Sequence, residues 1–98
     1  MRKPLTQIFG ILRDNLADVR NLYQVESMDV FGSYIRAEED DRSDLDILVS
    51  FTDEPSLIKF IELENYLTDR LGIKVDLVMK DALKKNMRQS ILREALPV

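Results

Sequence analysis

GSYIRAEEDDRSDLDILVSF, residues 32–51, decides how this chain is read. In its second half, Leu45, Ile47, Val49 and Phe51 recur with a period of two, which predicts a strand over residues 44–51 with one apolar face. Asp44 and Asp46 fall together on the other face. The first half begins with Gly32-Ser33, placed where the short apolar stretch Ser27–Phe31 would end as a strand. Between the two halves runs a polar stretch, Tyr34 to Ser43, with a helical turn expected near Ile35.

Working outward, Leu5, Ile8, Phe9, Leu12, Leu16 and Val19 recur at helical spacing and predict one amphipathic helix from about Pro4 to Leu22. After the Asp-rich strand, Thr52–Ser56 supplies turn and helix-start chemistry. A second amphipathic helix is expected next, with Leu57, Phe60, Ile61, Leu67 and Leu71 buried and Gly72 as its C-terminal cap. Ile73–Met79 alternates again and reads as a third strand carrying Asp76. A last helix is expected over about Asp81 to Ala95. The order helix–strand–strand–helix–strand–helix implies an α/β (α+β) fold: a small mixed sheet of about three strands packed with helices, in a single domain spanning residues 1–98.

Composition removes several chemistries. The 98 residues contain no cysteine and no histidine. Disulfide frameworks, thiolate zinc sites and imidazole-based catalysis are therefore excluded, and catalysis must run on carboxylates, hydroxyls, Lys or Arg. No apolar run approaches the ~20 residues that cross a bilayer, and Met1-Arg2-Lys3-Pro4 leads into an amphipathic pattern instead of a signal peptide. A cytoplasmic location is expected, since the lack of cysteine suits a reducing compartment. The net charge of -4 argues against nonspecific nucleic-acid binding, which draws on Lys and Arg.

Carboxylates at i and i+2 of a strand project from the same face and can share or bridge divalent cations. Hard oxygen donors suit Mg²⁺, which takes a few carboxylates and completes its shell with substrate phosphates. Two such ions roughly 3.5–4 Å apart can stabilise both the attacking and leaving oxygens of a displacement at phosphorus. If the third strand pairs beside the second with apolar faces together, Asp76 joins Asp44 and Asp46. Three clustered carboxylates repel unless a cation neutralises them. Asp76 would then serve as ligand or general base. Gly32 lets backbone N–H groups approach a phosphate, Ser33 can donate to the same oxygens, and Arg36 or Arg42 could neutralise triphosphate charge.

Taken singly, each element has a plainer reading. An isolated Asp-x-Asp is more often a solvated strand face than a metal site. Glu38, Glu39, Asp40 and Asp41 read as a solvated loop, and Arg36 and Arg42 could be ion-pair partners for those acids. Met87 and Ile91 could complete the core, or join Leu96 in a partner contact. The combination outweighs these readings: Gly-Ser at a strand end, ten residues, Asp-x-Asp on a strand, then a further strand Asp.

That combination, Gly32-Ser33 followed after ten residues by Asp44-Leu45-Asp46, resembles the signature of the DNA polymerase beta-like nucleotidyltransferases. Within them the chain is most similar to the minimal nucleotidyltransferase (MNT) proteins. The likeness extends to Tyr34-Ile35-Arg36, Val75-Asp76-Leu77-Val78 and Ile91-Leu92-Arg93-Glu94-Ala95. The resemblance implies a nucleotidyltransferase fold and an enzyme that moves AMP from ATP to a hydroxyl. Gly32 and Ser33, with Arg36 nearby, would hold the triphosphate. Asp44 and Asp46 would bind Mg²⁺, and Asp76 would be the third carboxylate. It further implies an antitoxin whose partner is a HEPN-domain ribonuclease toxin, silenced by AMPylation of a tyrosine. The family often has Gly after the loop Arg. Here Ala37 stands there, and a positive φ would strain it by about 1 kcal/mol.

Two other functions compete. One is a non-catalytic module that occludes its toxin and senses nucleotide; the other is a transferase acting on RNA or a small molecule. The single domain expected over residues 1–98 would leave no second one to grip an acceptor, so recognition is expected to come from the acceptor protein or from a second copy of the chain.

Overall fold

A computed structural model describes residues 3–98. Its elements are α1 (Leu5–Asp14), α2 (Leu16–Tyr23), β1 (Val25–Phe31), β2 (Leu45–Phe51), α3 (Leu57–Leu71), β3 (Val75–Met79), a 3₁₀ turn (Lys80–Ala82), α4 (Lys85–Glu94) and β4 (Leu96–Pro97). The sheet has the order β3-β2-β1-β4. β1 runs antiparallel to both β2 and β4, and β2 runs parallel to β3 through the α3 crossover. It has four strands, not about three, because residues 96–97 pair with Val30 and Asp29. A two-residue strand is too short to show alternation. Among the described residues no helix is long and apolar enough to cross a membrane.

The core lies between one sheet face and the first three helices. Val30, Leu45, Ile47, Val49, Val75 and Leu77 meet Ile8, Leu12, Val19, Leu63, Leu67 and Leu71. Val25 and Met28 are both buried although they lie three residues apart, because β1 bulges between Val25 and Ser27. The extra residue resets the alternation.

Three helical expectations need correction. The single helix over Pro4–Leu22 is broken at Asn15, which adopts φ -101°, ψ 0°. The Asn15 side-chain amide donates to the Ile11 carbonyl at 2.8 Å, and its own oxygen accepts from the Tyr66 hydroxyl at 3.1 Å. A side chain that satisfies the carbonyls of one turn and reaches across to α3 favours a break over continuation. In α3, Leu57 and Ile61 are not buried; they are 74% and 45% exposed. The buried stripe is Leu63, Leu67 and Leu71, at i, i+4 and i+8. Each such leucine contributes about 2 kcal/mol of apolar burial.

Ser56 caps the start of α3, its hydroxyl accepting from the Lys59 N–H, and Gly72 in the left-handed region caps its end, as expected. It also protects the sheet edge. Glu64 and Thr68 accept hydrogen bonds from the Leu77 and Val75 N–H groups at 2.9 and 3.0 Å. Those donors would otherwise present an unpaired strand edge. The last helix is shorter than expected, with the 3₁₀ turn and Leu83–Lys84 separating α4 from β3.

Candidate active site

β2 and β3 pair with Asp46 opposite Asp76, and β1 and β2 pair with Phe31 opposite Asp46. Residues directly opposite in a ladder share a face. Phe31, Asp46 and Asp76 thus form a row on the sheet face away from the main core. Asp44 lies just before β2, two residues from Asp46 and on the same side by strand alternation. The third carboxylate expected from periodicity is where the register demands.

The row ends at Gly32, which follows Phe31 with φ +83°. A Cβ there would collide with the Asp46 carboxylate, whose Cγ lies 2.9 Å from the Cβ position. Glycine is needed twice over at this position, for its left-handed backbone and for the close approach of Asp46. The Gly32 carbonyl then accepts from the Ile35 and Arg36 N–H groups at 3.0 and 3.2 Å, closing the helical turn expected near Ile35. Tyr34 is buried and ties the turn to the core. Ser33 stands half-buried at its start.

Ala37 has φ +56°, the strained conformation considered from the sequence. Beyond it, Asp40 organises the loop: its carboxylate accepts from the Arg42 N–H at 2.8 Å, and its own N–H donates to the Ser43 hydroxyl at 2.9 Å. Of the four loop acids, Asp40 builds a turn and Glu38 pairs with Arg36 at 3.2 Å.

Asp46 is the electrostatic centre. Burial pushes its carboxyl up to about 6, and the neighbouring charges of Asp76 and Asp44 and a hydrogen bond to Asp76 add to this, opposed by Arg36. Such a group keeps its proton to a higher pH than an ordinary carboxyl, and positive charge arriving beside it favours ionisation. Among the described residues no three carboxylates converge as a ready group of three ligands. Asp46 opens on a cleft of about 470 Å³ toward α4, whereas Asp44 opens on another of about 460 Å³ with Arg42 and Lys74. The donor set fits a hard divalent cation that takes one or two carboxylates and fills its shell with phosphate oxygens and water.

One residue was missed by sequence reasoning. Glu94, in the last turn of α4, accepts from the Gly32 N–H at 2.7 Å and from Arg36 Nη1 at 2.8 Å. Burial works against its ionisation, yet Arg36 and the Gly32 N–H together hold its carboxyl below the usual range. The available signal was an acid at a helix C-terminus, where the helix dipole disfavours negative charge.

Residues 14–97 match the family model described as polymerase beta, nucleotidyltransferase. The chain is 48% identical over 94 residues, 96% of its length and 95% of the relative's, to the protein adenylyltransferase MntA of Thermococcus cleftensis. A solved structure of a minimal nucleotidyltransferase superposes with a TM-score of 0.78 at 32% identity, covering 94% of each chain. A structure of a tri-AMPylated HEPN toxin of Shewanella oneidensis in complex with MNT antitoxin gives a TM-score of 0.60 at 26% identity, covering 94% of this chain and 66% of that one.

Proposed function

Because the chain belongs to the polymerase beta nucleotidyltransferase family, we propose that it transfers AMP from ATP to a tyrosine hydroxyl of a HEPN-domain toxin, as the antitoxin of a toxin–antitoxin pair. The observation that carries this reading is the row of Asp46 and Asp76 beside Gly32, whose left-handed backbone lies against the Asp46 carboxylate. The adenylyltransferase name of the Thermococcus cleftensis relative supports the reaction, and the tri-AMPylated HEPN complex supports the acceptor.

In this reading Gly32 and Ser33 hold the triphosphate through the Gly32 N–H and the Ser33 hydroxyl, and Arg36 offsets its charge. Asp44 and Asp46 hold Mg²⁺, with Asp76 beside them. When bound, the ion neutralises the triphosphate and the carboxylates that face it. The acceptor hydroxyl oxygen forms a bond to the α-phosphorus while the bond from that phosphorus to the bridging oxygen breaks. Pyrophosphate leaves with the electron pair. The hydroxyl proton passes to the Asp76 carboxylate, which is exposed and can return it to solvent.

Leu57 and Ile58 on α3 and Met87 on α4 are exposed apolar residues, with Met87 lining the Asp46 cleft. The test is mass spectrometry of a cognate HEPN protein after incubation with this chain, ATP and Mg²⁺. AMP on a tyrosine is expected. An unmodified toxin that is nonetheless neutralised would replace transfer with occlusion.

A further inference from the structure

The two groups best placed to receive a phosphate are already engaged. The Gly32 N–H donates to one oxygen of Glu94 at 2.7 Å, and Arg36 Nη1 donates to the other at 2.8 Å. One carboxylate thus takes a backbone N–H and a guanidinium with its two oxygens, as a phosphate would. Glu94 comes from 62 residues away in sequence, so the contact is a product of the fold and not of local turn geometry.

The same carboxylate lies in the cleft that Asp46 enters, lined by Gly32, Arg36, Asp46, Ser90 and Glu94 among others. A polyphosphate entering that cleft meets a negative charge at its first anchoring point. The backbone N–H has a single hydrogen to give. It cannot serve Glu94 and a phosphate oxygen at full strength together.

The element that carries Glu94 is lightly seated. α4 has no buried residue, and Asn86, Met87 and Ser90 are exposed along it. It is held at one end by the 3₁₀ turn and at the other by two residues of β4, with the Val98 N–H donating to the Met28 carbonyl at 3.0 Å. Moving its last turn outward uncovers little apolar surface, so the motion is cheap beside the contacts a triphosphate makes.

We propose that Glu94 gates the triphosphate site: its carboxylate stands in for a phosphate on Gly32 and Arg36, and nucleotide binds by displacing it as the end of α4 swings away. This rests on the nucleotidyltransferase reading above. It adds a competitor built into the chain, so nucleotide affinity is set by a C-terminal helix that an acceptor protein could also reach.

The test is calorimetric titration of the intact protein with Mg²⁺ and a non-hydrolysable ATP analogue, for the wild type, Glu94→Ala and Glu94→Gln. Removing the competitor should tighten binding by about tenfold in Glu94→Ala. Glu94→Gln, which keeps an acceptor for Gly32 but loses the charge that Arg36 pairs with, should fall between. In the wild type, the Gly32 amide resonance should shift on nucleotide addition, which guards against a variant that fails to fold. In turnover, KM for ATP should fall. Equal or weaker binding by folded variants, or a Gly32 amide that keeps its Glu94 partner when nucleotide is bound, overturns the gate and leaves the transferase reading intact. Failure of all three proteins to bind the analogue overturns both.

Discussion

Asp46 of β2 and Asp76 of β3 stand directly opposite one another in a parallel ladder, two carboxylates at one level of the sheet. Like charges so placed destabilise a bare fold and favour whatever neutralises them. The cost has a function if the site is built for a cation and a triphosphate.

A pH dependence follows. The Asp46 carboxyl is raised from 3.8 to about 6, so between those values the folded protein binds more protons than the unfolded chain. Stability then falls as pH rises from about 4 to about 6 and levels off above. With solvent screening of a half-exposed group, Asp46→Asn should stabilise the cation-free protein at pH 7 by about 1 kcal/mol. Urea unfolding at pH 5 and pH 7 checks this: the gain should shrink at pH 5. A variant less stable than wild type at pH 7 would contradict it.

The same proton must leave when a cation binds. Near pH 6, Mg²⁺ binding in the presence of nucleotide should release protons, and the release should diminish toward pH 8. Calorimetry in buffers of different ionisation enthalpy measures the number directly. Asp46→Asn should abolish most of it.

Gly32→Ala should cost about 2 kcal/mol or more, combining left-handed backbone strain with the collision against Asp46. Because part of that cost is the Asp46 side chain, Asp46→Ala should relieve some of it in the double variant. Unfolding of the four proteins in a thermodynamic cycle reads the coupling. Strict additivity would mean that the backbone conformation alone requires glycine.

At Ala37 the expected sign is reversed. Its φ of +56° is strained for alanine in an exposed loop. Glycine removes that strain while loosening the unfolded chain, for a net gain of about 0.5 kcal/mol. Denaturant midpoints should rise slightly with an unchanged m-value.

Much of this was legible in the sequence, and the exceptions share a cause. The alternation of Leu45, Ile47, Val49 and Phe51, and of Val75 and Leu77, placed both strands and brought Asp76 to the Asp46 side, because strand alternation is local and faces follow from it. The Gly32 turn was also readable, since an interrupted strand ending in Gly-Ser has few conformations. The break at Asn15 was not, because it depends on Tyr66, far along the chain. Leu57 and Ile61 fit a helical stripe but sit at its edge, and only the packing of Leu63, Leu67 and Leu71 on the sheet decides which stripe is inside. Glu94 is the clearest case. Its partners are a backbone N–H and an arginine on a remote turn, and periodicity carries no information about either.

The central claim is that Asp44 and Asp46 bind the cation that AMP transfer requires. Its most direct test is labelling of a cognate HEPN protein from α-labelled ATP and Mg²⁺, by the wild type and by the Asp44→Asn plus Asp46→Asn variant, with circular dichroism confirming that the variant is folded. Loss of labelling by at least about 100-fold is predicted. Undiminished labelling by the folded double variant would contradict the account.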